Sequence, residues 1–361
     1  MKKGPSLYYA SDKNIYDALN QSKVDSETIQ GMFRRRNIVC SKLTKREDLA
    51  QFFSRLTHDL IDHQDLSEKL GIVPRRERIT AVDLLGNAPG DVAIQHAVEQ
   101  LKAKLTKQGD VVQVHIDGAT TTLVIKYSVI DYKKSEFSQL QHRNGFIEMI
   151  QENGRLVVRS TKSDYMDDIR DELIREIEAE TDHELTRDEI SLYHHTTPLV
   201  RSKFFYDLIS ELPGYSRRDV TEVFVYKPRP IKSEDSTDEN EGDPHIEKIF
   251  LRGVGVSRSE LLKDLTQEKS YYIAKIGWLS VERMGTGASY ELEATFADPK
   301  ECTGFSYILK GVYDLAEDGK MATKKRTPNR EEIDRMARLI EVRARELINQ
   351  LDAGGIGNGS T

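Results

Sequence analysis

Two cysteines in 361 residues, Cys40 and Cys302, are too few and too far apart for a disulfide framework, a zinc ribbon or a redox pair. Both read as packing thiols of a protein kept in reducing surroundings. Long apolar runs are missing as well, and none approaches the roughly 18 residues that span a bilayer. No apolar segment stands behind Met1-Lys2-Lys3-Gly4-Pro5. A secretory signal is therefore not expected, and the expected location is the cytoplasm, away from any membrane. Glycine-rich phosphate loops are also lacking. Arg252-Gly253-Val254-Gly255 has no third glycine and no following helix with an acid, and Arg159-Ser160-Thr161-Lys162-Ser163-Asp164 has no glycine at all. With no G-x-S-x-G elbow either, the chain carries no motif for nucleotide hydrolysis, dinucleotide chemistry or serine hydrolysis. The expectation is a non-enzymatic protein without a cofactor.

Charge is abundant instead. Charged residues make up 31% and hydrophobic residues 38%, a polar but globular balance, and the length suits two or three domains with cores of their own. The net charge of −7 is unevenly spread. Residues 1–78 hold fifteen Lys or Arg against eleven Asp or Glu, a net of +4, which leaves −11 for the remainder. Such asymmetry points to one polyanion-facing end.

The first 78 residues read as helical. Ser11 is placed to cap a helix with Ile15, Ala18 and Leu19 inward, and Asp25 or Ser26 a second with Ile29, Met32 and Phe33 inward. Thr44 and Glu47 fit a capping box opening a third, whose inner face is Leu49, Phe52, Phe53 and Leu56. A short helix over 64–70 is expected to stop at Gly71 and Pro74. Residues 79–230 read as mixed α+β, with helices over 93–105, 164–180 and 204–212. Strands are expected over 111–116, 121–130, 155–159 and 220–226, with turns at Asp117-Gly118 and Glu152-Asn153-Gly154. Thr186 with Glu189 reads as another capping box. Residues 231–246, "IKSEDSTDENEGDPHI", carry six acids and one lysine and are expected to form an acidic linker or loop. Residues 247–352 read as β-rich, with strands over 248–256, 271–283, 290–296 and 305–314 and a helix near 259–265. A terminal helix over 329–351 should stop at Gly354-Gly355, before a flexible tail at 353–361. The expected fold class is α+β and multidomain: a small helical N-terminal module, a mixed α+β middle domain, and a β-rich C-terminal domain with a terminal helix.

The stretch "RRRNIVCSKLTKREDLAQFFSRL", from Arg34 to Leu56, packs six basic residues into its first thirteen positions: Arg34, Arg35, Arg36, Lys42, Lys45 and Arg46. Across residues 29–56 the order is apolar helix, "RRNI", polar loop, "TKREDL", apolar helix. That order resembles the helix–extended-loop–helix DNA-binding modules typified by the SAP domain. Asn37 stands where such modules often have glycine. The resemblance implies that these six residues meet nucleic acid, DNA foremost, with phosphate contacts that position without reading sequence. The simpler explanation is a solvated helical face whose cations pair with Glu47 and Asp48.

Other candidates are thinner. Asp117 with Asp131 and Lys133 forms the loose Asp, Asp-x-Lys skeleton of restriction-type nucleases, which hold Mg²⁺ between the carboxylates; an Asp-Gly turn explains Asp117 as well. His58, Asp62 and His63 lack a third ligand on one helix face. His194-His195 suits a ligand or acid–base role no better than a surface one. Tyr271, Tyr272 and Trp278 either stack on bases or fill a β core. The terminal helix mixes both charge signs, which marks a solvated or partner-facing surface. The leading expectation is a DNA-associated accessory protein working with other protein subunits in a larger assembly, of the mosaic kind found among bacterial genome-defence components. A metal-dependent nuclease and a protein-interaction scaffold are its rivals.

Overall fold

The computed structural model describes residues 10–70, 76–86, 89–134, 136–152, 154–181, 184–228, 246–284, 287–316 and 319–355. The expected acidic linker (except Ile246), the stop at Gly71 and Pro74, Asn153 of an expected turn and the last six residues of the tail lie outside them. Two compact units emerge: one of residues 1–75, 91–116 and 121–146, the other of residues 76–90, 117–120 and 147–361.

The first unit begins with four helices, α1 (Asp12–Leu19), α2 (Ser26–Arg34), α3 (Arg46–Ser54) and α4 (Leu60–Leu70). Ser11 caps α1 and exchanges hydrogen bonds with Asn14 in a reciprocal box. Asp25 caps α2 through the Thr28 N–H at 2.7 Å, a bond that, with Lys69 beside it, lowers the Asp25 carboxyl to about 2. The capping box expected at Thr44 is not formed, because α3 starts one residue later, with Lys45 at the cap and no side-chain cap bond. Apolar residues spaced three and four apart meet in one core of Ile15, Leu19, Met32, Phe33, Phe53 and Leu66. Phe33 and Phe53 pack edge to face with centroids 5.0 Å apart. Phe52, expected inside, is 54% exposed. Helix α5 (Asp91–Gln108), the hairpin of β2 (Val111–Asp117) and β3 (Thr120–Ile130), and a short α6 (Glu136–Gln139) follow. Phe137 of α6 joins the helical core.

In the second unit the strands β5 (Arg155–Lys162), β1 (Arg78–Leu85), β11 (Thr303–Tyr313), β10 (Ser289–Asp298), β9 (Tyr272–Glu282), β7 (Tyr215–Tyr226) and β8 (Lys248–Arg252) lie side by side in that order. All of these pairs are antiparallel. Residues 147–152 of β4 (Leu140–Glu152) pair with β5. The short β6 (Thr186–Glu189) pairs with β1, so the Thr186/Glu189 capping box is corrected to an edge strand held by the backbone ladder. Strands from both sides of residues 231–246 pair directly, Val223 with Ile276 and Phe224 with Phe250. The composition change there divides neither the sheet nor the unit, in contrast to the separate middle and C-terminal domains expected.

Three helices complete this unit: α7 (Asp164–Thr181), α8 (Pro198–Ser210) and α10 (Arg330–Gly355), with a short α9 (Glu260–Lys263) before β9. Helix α10 extends beyond the expected Leu351 and includes the Gly354-Gly355 pair, with Gly355 its last described residue. Its start is a reciprocal cap between Asn329 and Glu332, both bonds 2.8 Å, and Arg326 grips Glu332 as well. Arg159, 1% exposed, reaches from β5 to Glu341 of α10 through two 2.8 Å bonds and to Glu148 at 2.5 Å, and Tyr307 donates to Glu341. Tyr271, Tyr272 and Trp278 are buried in the β core. Cys302 is buried too, and burial pushes its thiol up to about 12, which makes it a neutral packing group.

Candidate nucleic-acid interface

Helix α2 ends in a turn that fixes where the basic run points. The Ile38 N–H donates to the Phe33 carbonyl at 3.0 Å and the Asn37 N–H to that of Arg34 at 2.9 Å. This is the two-bond Schellman stop, with Asn37 in the left-handed region at φ 58°. Glycine serves that position at no steric penalty, and asparagine tolerates it. Ile38 then packs back on the helical core. The following loop, residues 39–45, stands out from the core with Val39 92% and Leu43 93% exposed.

The six basic residues separate into two groups of three. Arg36 bonds the buried Asp62 with two nitrogens, donates to the carbonyls of Thr57 and Met32, and stacks over Phe53 at 4.6 Å. Arg35 meets Asp62 at 3.1 Å and Asp65 at 2.7 Å. Burial would push the Asp62 carboxyl up, but the hydrogen bonds from Arg36, Arg35 and the Asp59 N–H outweigh it and hold the group below its ordinary value. Arg46 folds inward and donates to three backbone carbonyls, those of Leu19, Gln21 and Val24, fastening the chain after α1 to the start of α3. These three guanidiniums have internal partners, which sets them apart within the group of six that the sequence brings together.

Arg34, Lys42 and Lys45 remain. All three are exposed, and among the described residues none has an ion-pair partner; Arg34 makes one long bond, 3.4 Å, to Gln30. Glu47 and Asp48 occupy the first turn of α3, where they complement the positive end of its dipole. Those acids, with Asp12, line a groove of about 490 Å³ that also includes Lys13, Tyr16 and Arg55. Val39 and Leu43 escaped notice in the sequence, although neither fits the apolar period of the flanking helices, which was the available signal.

The remaining candidates find local roles. Asp131 accepts from the Lys133 N–H at 3.1 Å in a turn, and the Lys133 side chain is exposed. Asp117 belongs to the second compact unit and Asp131 with Lys133 to the first. His58 lies 3.8 Å from Asp62 and bonds the Ser54 carbonyl, while His63 packs on Phe137. His195 bonds Asp352 at 2.8 Å. Among the described residues no group of three or more His, Cys, Asp or Glu is arranged to hold a metal ion. No helix among them is long and apolar enough to cross a membrane. No family model matches the chain, and comparison with curated proteins finds no match.

Proposed function

We propose that the protein is a non-enzymatic, DNA-associated accessory protein of a larger assembly, contacting the phosphate backbone through Arg34, Lys42 and Lys45. The observation that carries this is the division of the basic run: Arg35, Arg36 and Arg46 are tied to internal partners, while Arg34 at the end of α2 and Lys42 and Lys45 in the loop that follows are exposed and without an ion pair among the described residues. Cations without carboxylate partners retain their full attraction for phosphate, a contact that supplies affinity without sequence selection. The two nearly fully exposed apolar side chains between them, Val39 and Leu43, suit a macromolecular surface large enough to cover both. No observation favours the nuclease alternative, since the Asp131 carboxylate serves its own turn.

The test is fluorescence anisotropy with a labelled 20-base-pair duplex on the full chain. Replacing Arg34, Lys42 and Lys45 together by alanine should weaken binding at low salt and leave the circular dichroism spectrum unchanged. Equal binding by wild type and variant refutes the assignment.

A further inference from the structure

A second surface of opposite character to the chain's net charge lies in the sheet unit. Strand β8 alternates: Lys248, Phe250 and Arg252 are exposed, while Ile249 and Leu251 are half-buried. Alternation places the first three on one face. Phe250 sits opposite Phe224, Phe224 opposite Lys275, and Glu222 opposite both Arg252 and Gly277, and cross-strand partners share a face. That face therefore joins two phenylalanines to Lys248, Arg252 and Lys275.

Its acids are already matched. Lys275 lies 3.3 Å from Glu222 and 3.0 Å from Glu293, Lys310 lies 2.5 Å from each, and Arg78 also bonds Glu293. Both carboxylates are buried beneath these cations. Gly277 makes the arrangement possible, because a Cβ there would stand 2.5 Å from Glu222 Cγ. Three cations over two carboxylates leave a positive excess, and Lys248 and Arg252 have no ion pair among the described residues. The aromatic element is equally specific. Phe204, Phe205, Phe296 and Phe305 are all buried, whereas Phe250 is 52% exposed, with the Lys275 ammonium 5.6 Å from its ring centroid.

We propose that this face binds single-stranded nucleic acid, with an unpaired base stacking on Phe250 and its flanking phosphates held by Lys248 and Arg252. An exposed ring on the same strand face as two unpaired cations, Lys248 and Arg252, offers both a π-face and charge, the combination an unpaired strand uses and a duplex, whose bases are stacked inside, does not. The site is separate from the loop of Arg34, Lys42 and Lys45 and does not rest on it.

The probe is fluorescein-labelled dT20, titrated into the full chain carrying the Arg34, Lys42 and Lys45 alanine substitutions, so the loop makes no contribution. Phe250→Ala should weaken binding roughly 5- to 150-fold, the effect of losing one stacked base, without altering the salt slope. Phe250→Trp should restore it. Joint replacement of Lys248 and Arg252 by alanine should reduce the slope by about 1.4, or roughly 0.7 per phosphate. Each variant is checked for an unchanged melting temperature. Equal dT20 affinity in the Phe250→Ala chain overturns the proposal, as does equal preference for duplex. A change in sedimentation coefficient with Phe250→Ala, unaccompanied by lost dT20 binding, also overturns it and marks a protein contact instead.

Discussion

Replacing Asp62 by alanine tests whether Arg35 and Arg36 are structural. Asp62 is fully buried and is met by both guanidiniums, so its removal leaves Arg36, only 19% exposed, facing an uncompensated site. Losing one partner of a buried pair costs about 3–5 kcal/mol. The lower end applies here. Arg36 keeps the carbonyls of Thr57 and Met32, while Arg35 is 40% exposed and keeps Asp65. About 3 kcal/mol corresponds to roughly 150-fold faster exchange in amides whose protection depends on opening this unit. Hydrogen exchange read by mass spectrometry should show that loss in peptides from α2, α3 and α4. Peptides from β9 to β11 should be unchanged. Less than fivefold acceleration, or unchanged exchange accompanied by lost DNA binding, would refute the structural assignment of these arginines.

Three further outcomes follow from the same contacts. Asn37→Gly relieves the left-handed backbone at φ 58° and should stabilise the helical module by about 0.5–1 kcal/mol, whereas Asn37→Val should destabilise it, both read by the same exchange experiment. Glu341→Ala strands the buried Arg159 and removes the acceptor of Tyr307, so α10 and β5 should lose about 3–5 kcal/mol of protection; retained protection contradicts the clamp. Acid should loosen the first unit. Asp62 and Asp25 are depressed in the folded state, so their stabilisation is present above the unfolded carboxyl value near ~4 and is lost as pH falls through the folded values, about 2 for Asp25. Melting temperature measured from pH 5 to pH 2 should fall, and should fall less in Asp62→Asn.

Helices with a clear apolar period were legible in the sequence: Ile15, Ala18 and Leu19 of α1, and Ile29, Met32 and Phe33 of α2, are buried as expected. So was the α+β class with its β-rich C-terminal part and terminal helix. Four-residue cap motifs were less dependable. Thr44/Glu47 missed the start of α3 by one residue, and Thr186/Glu189 fell in a strand, because ladder pairing with a distant β1 outweighs a local side-chain bond. Strand β1 itself was passed over: six of its eight residues are buried, so it shows no alternation, and the partners of its Asp83 are Arg155 and Arg345, remote in the chain. The basic stretch was legible as a cluster but not in its internal partners. Charge clustering is visible in a string, but Asp62 lies 26 residues from Arg36, and the carbonyls held by Arg46 are 22 to 27 residues away. Only the fold distinguishes a cation with an internal partner from one without.

The central claim is that Arg34, Lys42 and Lys45 contact DNA phosphates. It is tested most directly by the slope of log binding constant against log salt for a 20-base-pair duplex, in wild type and in the triple alanine variant. Three phosphate contacts at about 0.9 each predict that the slope becomes shallower by roughly 2.7 in the variant. An identical slope in the two proteins contradicts the claim.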